Sequence, residues 1–285
     1  GVWQINNADV SSLVDGDISF TASTIDVAGN PTSVSTIVSK DSQASVTIEA
    51  VDDDNTLNAV EVPTTTLRGE ALNIEDGQNV LIWVTDSSGT RLIFNTTVVD
   101  GLWQLDNLDL SSLLDGELTL RALAVDVEGN PSIGNNTVAK DTVADITVEI
   151  IDNDGVINAV EMTQVVIQGS VTNVEDGQTV TVFLTDNQGQ SLTLTSIVTG
   201  GVWTLAAQDL SAFDDGSLEV TAEVSDVAGN PATATTQLPV DTTALIDITI
   251  VDNDNVINTV EMTLVVIQGS VTNVEDGQTV TVFLT

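Results

Sequence analysis

Three pairs of aspartates, Asp52/Asp54, Asp152/Asp154 and Asp252/Asp254, share an Asp-x-Asp spacing, and each pair runs on into Asn58-Ala-Val-Glu61, Asn158-Ala-Val-Glu161 or Asn258-Thr-Val-Glu261. Alternate carboxylates on a turning loop can point to one centre, and the chemistry open to such a centre is coordination of a hard cation by oxygen. The pattern is not an EF-hand loop: Val156 stands where a third ligand is wanted, Gly155 comes early, and the glutamate falls too soon. Taken alone, Asp-x-Asp marks a solvated turn about as often as a ligand site. Here it recurs beside further polar stations at the same interval: Asp26 with Asn30, Asp126 with Asn130, Asp226 with Asn230, then Asp41, Asp141 and Asp241, and Asp76, Asp176 and Asp276.

The interval is 100 residues throughout, and no insertion or deletion separates the copies. Gly1-Val2-Trp3 returns as Gly101-Leu102-Trp103 and Gly201-Val202-Trp203, and the stretch from Val165 to Thr185 is repeated without change from Val265 to Thr285. Such periodicity belongs to a tandem array, whose function rests more on how its units join than on one pocket.

Charge narrows the partners. Lys and Arg number 5 against 43 Asp and Glu, no His is present, and the formal net charge is -38. Nucleic acid and direct membrane insertion are not expected, because clustered bases and long apolar runs are both missing. Without Cys or His the chain has no disulfide, no ordinary transition-metal site and no Ser-His or Cys-His nucleophile. Oxygen ligands remain. Two carboxylates about 5 Å apart repel by roughly 3 kcal/mol at an effective dielectric of about 20, so converging acids need a counter-ion. Ca2+ suits them, since it accepts 6 to 8 oxygens in flexible geometry where Mg2+ demands strict octahedral order.

The acids hang on a β framework. In residues 143–242, seven segments alternate with a period of two: 145–151, 164–172, 178–185, 191–198, 202–207, 217–225 and 232–240. Turn formers separate them, as in Asp152-Asn-Asp-Gly155 and Asp226 to Pro231. Seven short strands in about 100 residues predict an all-β chain of tandem immunoglobulin-like sandwiches in an elongated array. The expected divisions are 1–42, the C-terminal half of a repeat; 43–142 and 143–242, complete repeats; and 243–285, the N-terminal half of another. The first, third and fifth loops after the opening strand share one end with the exit of the chain, so facing ends of successive repeats are both lined with carboxylates.

The succession Asp-Asn-Asp-x-Val-Ile-Asn-x-Val-Glu, Val-x-x-Gly-x-Val, Val-Glu-Asp-Gly-Gln-x-Val-Thr-Val, Gly-x-Trp, Asp-Leu-Ser and Asp-Val-x-Gly-Asn-Pro covers the whole chain. It resembles the calcium-binding bacterial immunoglobulin-like repeats of giant type I secreted adhesins, the repeats-in-toxin and biofilm-associated group. The resemblance implies a secreted extender at the bacterial cell surface that holds a distal tip for adhesion or biofilm formation, rigidified by Ca2+ between neighbouring repeats. Carried over by position, the ligands are Asp52, Asp54, Asp141, Asp176, Asp226 and their counterparts 100 residues away. The first whole copy departs from the pattern with Asp52-Asp-Asp-Asn-Thr-Leu-Asn58, which leaves open which of its three aspartates bind. No enzyme is expected. Alternatives are a self-assembling extracellular filament or matrix protein, in which half repeats of neighbouring molecules meet, and a glycan-binding module.

Other features have structural readings. Trp3, Trp103 and Trp203 alternate onto the face of Ile5, Leu105 and Leu205 and are expected in the core. Trp83, Phe183 and Phe283 fall on the opposite face of their strand, partly exposed, where a row of aromatics suits lateral contact or glycan. Asp9, Asp109 and Asp209, each two residues before a serine, read as caps of a short turn.

Overall fold

A computed structural model describes residues 1–51, 54–152, 154–251 and 256–285. The chain falls into two compact units, Gly1–Val143 and Ala144–Thr285. The described residues are almost wholly strand and turn, with three short 3-10 turns at Val62–Thr64, Glu161–Thr163 and Glu261–Thr263.

In the first unit, β1 (Gly16–Ile25) and β2 (Pro31–Lys40) form a hairpin in full register from Gly16↔Lys40 to Ile25↔Pro31. A sandwich follows. One sheet has the order β3 (Ser45–Val46), β5 (Thr65–Leu72), β8 (Leu102–Leu108). The other has the order β4 (Thr56–Leu57), β10 (Pro131–Lys140), β9 (Gly116–Val125), β6 (Asn79–Thr85), β7 (Arg91–Thr97). Its pairs are antiparallel apart from β4 on β10.

The second unit repeats the plan. β11 (Asp145–Ile146) and β12 (Glu149–Ile151) keep one register along β13 (Val165–Thr172), whose other side pairs with β16 (Val202–Gln208). The facing sheet has the order β15 (Ser191–Ile197), β14 (Thr179–Thr185), β17 (Gly216–Ser225), β18 (Pro231–Val240). Ile157 bridges Val240 in parallel where β4 meets β10 in the first unit. The fourth strand of each sandwich, β7 or β15, hydrogen-bonds to the third and not to the first-strand sheet. This differs from the constant-type arrangement, which places that strand beside the fifth.

Period-two alternation delivers the cores. Val180, Val182 and Leu184 on β14 lie beside Leu218, Val220 and Ala222 on the neighbouring β17, and all are buried in one cluster with Trp203. Val80, Ile82 and Val84 on β6 likewise lie beside Leu118, Leu120 and Ala122 on β9, in one cluster with Trp103. Each tryptophan is also a clamp. The Trp203 indole N–H donates to the Thr147 carbonyl at 3.2 Å, and Trp103 does the same to Thr47 at 2.9 Å. Thr147 lies between β11 and β12, so its carbonyl serves the indole where the strand is interrupted. Gly169 is directly opposite Trp203, and a Cβ there would sit 1.9 Å from the Thr147 oxygen; at Gly69 the distance is 2.0 Å from Thr47. Only glycine fits a strand position over which another backbone passes so closely.

Residues 1–42 and 243–285 bury less than the stretches between them. Trp3 is 70% exposed where Trp103 is 2% exposed, and Ile246 is 66% exposed where Ile146 is 4% exposed. Trp3 therefore departs from the core position expected for it, because residues 1–42 carry no counterpart of β5 to cover it. At the other end, β19 (Leu245–Ile246) pairs with β22 (Val271–Thr272) and β20 (Thr249–Val251) with β21 (Val266–Gln268), with no further strand paired to them among the described residues. No helix among the described residues is long and apolar enough to cross a membrane.

Candidate metal centres

The turn from β9 to β10 is built by Asp126. Its Oδ1 accepts the Asn130 backbone N–H and its Oδ2 accepts the Asn130 amide, both at 2.7 Å. Gly129 at φ 96° closes the turn and Pro131 starts the next strand. Asp126 is 3% exposed. Burial pushes its carboxyl up, but the side-chain and backbone hydrogen bonds from Asn130 outweigh that and hold it below the usual range. Asp41, one residue past β2, comes to the same place, and the Asn130 amide donates to its backbone carbonyl at 3.4 Å.

One oxygen each from Asp41, Asp126 and Glu128 lies within 4.8 Å of the others. Two metal–oxygen bonds of about 2.4 Å placed end to end span about 4.8 Å, so one hard cation fits among them with water completing its shell. Each pair of these charges repels by about 1 kcal/mol in water and about 3 kcal/mol at an effective dielectric of about 20. The donor set, three carboxylates without nitrogen or sulfur, suits Ca2+ better than a transition ion.

A second group joins Asp152, Asp154 and Glu161, again within 4.8 Å. Asp152 Oδ2 accepts the Gly155 N–H at 2.6 Å and Asp154 Oδ1 accepts that of Val156 at 3.2 Å, which fixes the two carboxylates on their turn. Glu161 arrives through a reciprocal cap. Its Oε2 accepts the Asn158 N–H at 3.0 Å, while Asn158 Oδ1 accepts those of Val160 and Glu161 at 2.9 and 3.2 Å. The same cap ties Asn58 to Glu61 and Asn258 to Glu261.

The remaining candidates are placed singly. Asp52, Asp252 and Asp254 lie outside the described residues. Asp54 Oδ1 accepts the Thr56 N–H at 2.8 Å. Asp26 with Asn30 and Asp226 with Asn230 repeat the Asp126 turn, the last pair almost wholly buried. The Asn30 bonds hold the Asp26 carboxyl below its usual range. Asp141 and Asp241 follow the last strands of their repeats and donate their backbone N–H groups to Leu57 and Ile157. Asp76, Asp176 and Asp276 are exposed and belong to neither group. It is their neighbours Glu75 and Glu175 that reach across, accepting the N–H of Val127 and Val227 at 3.0 Å.

Two group members were not among the expected ligands. Glu161 stands in the recurrent Asn-x-Val-Glu motif, at a spacing too short for the last ligand of an EF-hand loop. Glu128 stands where the other copies have Ala28 and Ala228, so its signal is a departure from the repeat.

Other acids have structural partners. Asp115 accepts Lys140 Nζ at 2.7 Å and Asp15 accepts Lys40 Nζ at 2.8 Å. The Lys40 bond, helped by Ser42, pulls the Asp15 carboxyl down to about 2. Asp86, which is buried, accepts N–H groups from Leu114, Ser88 and Thr90 and the Ser88 hydroxyl, and the Leu114 N–H above all holds its carboxyl low. Asp9, Asp109 and Asp209 accept the N–H of Ser11, Ser111 and Ser211, the capping role read from their spacing.

Two sheets, a tryptophan-clamped core and acidic loops at the sandwich ends define a bacterial immunoglobulin-like domain, and residues 146–242 match the family model described as bacterial Ig-like domain. The chain belongs to this family. Among solved structures it is similar to a tetra-tandem repeat in the extending region of a large adhesion protein, at 30% identity over 92% of this chain and 65% of that one, with a TM-score of 0.39. It is similar to a Ca2+-stabilized adhesin with which an Antarctic bacterium binds ice, at 28% identity over 87% of this chain and 63% of that one, TM-score 0.44. A bacterial immunoglobulin-like domain from the M. primoryensis ice-binding adhesin is 32% identical over 34% of this chain and 95% of its own length, TM-score 0.25. The chain thus spans 65% of the first of these structures. The family assignment rests on the sequence agreement and the strand plan, not on these superpositions. No curated protein matches the chain.

Proposed function

We propose that the chain is a structural extender segment of a secreted bacterial surface adhesin. Its repeats, 1–42, 43–142, 143–242 and 243–285, are stiffened by Ca2+ in the acidic loops and serve to hold an adhesive tip away from the cell in adhesion and biofilm formation. The observation that carries the reading is the meeting of Asp41, Asp126 and Glu128. Asp41 leaves one repeat and the other two sit in the last turn of the next, so an ion held by all three restrains the passage between them. Within this centre Asn130 orients Asp126 and touches Asp41, which presets two of the three ligands. The Asp152, Asp154 and Glu161 group gives the following opening loop the same capacity. The adhesins named above supply the class, and one of them is described as Ca2+-stabilized. No catalytic role is assigned to any residue.

Calorimetric titration of the whole chain with CaCl2 tests the proposal. Binding is expected, and Asp41→Asn with Glu128→Gln should weaken one class of site by about tenfold or more, since affinity follows ligand charge. Isotherms with no binding, or identical in the variant, contradict it.

A further inference from the structure

The five basic residues divide unevenly. Lys40, Lys140 and Arg68 each have a carboxylate partner, in Asp15, Asp115 and Glu49. Arg91 and Arg121 have none among the described residues, in a chain with 43 acids. Both lie instead over the same ring: their guanidinium carbons are 5.8 and 5.2 Å from the centroid of Trp83. Strand pairing explains the convergence, since Arg121 on β9 is directly opposite Trp83 and Arg91 on β7 is opposite Thr85, the next outward position of β6. Arg91 Nε also donates to the Thr85 hydroxyl at 3.2 Å.

The surrounding sheet is cleared of acid. Its long strands β6, β7, β9 and β10 carry one, Glu117, four residues along β9 from Arg121 and thus about 13 Å away. The corresponding face of residues 143–242 has Phe183, Ser191 and Thr221 in place of the tryptophan and the two arginines, with Glu219 and Glu223 on β17. The cationic face therefore belongs to residues 43–142 alone among the repeats. Ring contact fixes the guanidinium planes without consuming their outward N–H groups, which match the oxygens of a carboxylate or sulfate.

We propose that the Trp83–Arg91–Arg121 face binds an acidic polysaccharide, its uronate groups accepted by the two arginines. An extended polymer suits a sheet face whose outward positions also carry the hydrogen-bonding Asn79, Asn95 and Asn135, and regularly spaced uronates complement the two arginines in charge. At about 0.15 M salt the Debye length is about 8 Å, so distant carboxylates of the protein are screened while contacts at the arginines are not. The site is independent of the calcium-stiffened reading.

Affinity electrophoresis of the whole chain in gels containing polygalacturonate, run with chelator so that Ca2+ cannot bridge carboxylates, is the test, with neutral dextran gels as control. Retardation by polygalacturonate alone is expected, and Arg91→Gln with Arg121→Gln should weaken it by about tenfold per arginine removed. Both side chains are exposed, and thermal unfolding of the variant checks that the sheet persists. Absent retardation, or retardation equal in the double variant, overturns the proposal. A concentration-dependent doubling of mass that the double variant loses, without polysaccharide binding, would assign the face to a second copy of the chain and also overturn it.

Discussion

Lys140 Nζ lies 2.7 Å from Asp115 Oδ1 and also donates to the Leu113 carbonyl, whereas the residue 100 positions on is Val240, buried in the same place. Asp215, the counterpart of Asp115, keeps the N–H and hydroxyl bonds of the threonine after the last strand, from Thr242 as Asp115 has them from Thr142, and accepts the Thr243 hydroxyl where Asp115 has the lysine. The two aspartates thus share a threonine anchor and differ in what is added to it, a cation from the last strand at Asp115 and a second hydroxyl at Asp215. Lys140→Ala should therefore destabilise residues 43–142 by about 2 kcal/mol, through the loss of a largely buried partner and its packing. Lys140→Val should cost less, because the neighbouring repeat shows valine filling that space. Urea unfolding followed by tryptophan fluorescence measures both.

Acid should weaken the same anchors. The Asp15 carboxyl is held at about 2 and that of Asp115 is lowered, where burial pushes up but the bonds from Lys140 and Thr142 prevail. A carboxyl depressed in the folded state stabilises above its unfolded value and loses that contribution as pH falls through the folded one. Stability from these groups should be constant above about pH 4, the unfolded value, and decline from there toward the Asp15 value of about 2. Denaturant midpoints measured at fixed salt and descending pH check it; a midpoint for Asp115→Asn that falls just as steeply would exclude Asp115 as a contributor.

Gly169→Ala should destabilise residues 143–242 by about 3 kcal/mol, because the added carbon collides with backbone and the Thr147–Trp203 clamp must open. Trp203→Phe, which removes the indole donor but keeps a ring, should cost less than Trp203→Ala. Thermal unfolding of the three variants orders them.

Most of the fold was legible because the alternation is strong: Val180, Val182 and Leu184, and Leu218, Val220 and Ala222, announce their buried faces from residue type alone. The interruption after Ile146 was not, since it depends on an indole 56 residues away. Nor was the sheet to which β7 and β15 belong, because alternation fixes a face but not a neighbour. At the candidate centres, the Asp-Asn turns and Asp41 were visible as recurrent stations. Glu128 was not, because reading by recurrence discards what one repeat alone possesses. Asp76 and Asp176 drew attention through their loop, while the adjacent Glu75 and Glu175 make the cross-loop bonds; spacing alone does not say which of two neighbouring carboxylates turns inward.

Ions at the loops should also protect against unfolding. If Ca2+ binds the folded centres and not the open chain, the unfolding midpoint should rise with free Ca2+ by linkage, about 2.7 kcal/mol at a hundredfold excess over Kd. Asp41→Asn should reduce the increment while leaving the calcium-free midpoint nearly unchanged, as Asp41 is exposed. Scanning calorimetry across a CaCl2 series measures it.

Small-angle X-ray scattering of the whole chain in Ca2+ and in chelator reads out whether bound metal stiffens the passage between repeats. Chelation is expected to leave the scattering of each folded sandwich intact but to raise flexibility between repeats, at unchanged molecular mass. Superimposable profiles in the two conditions would contradict it.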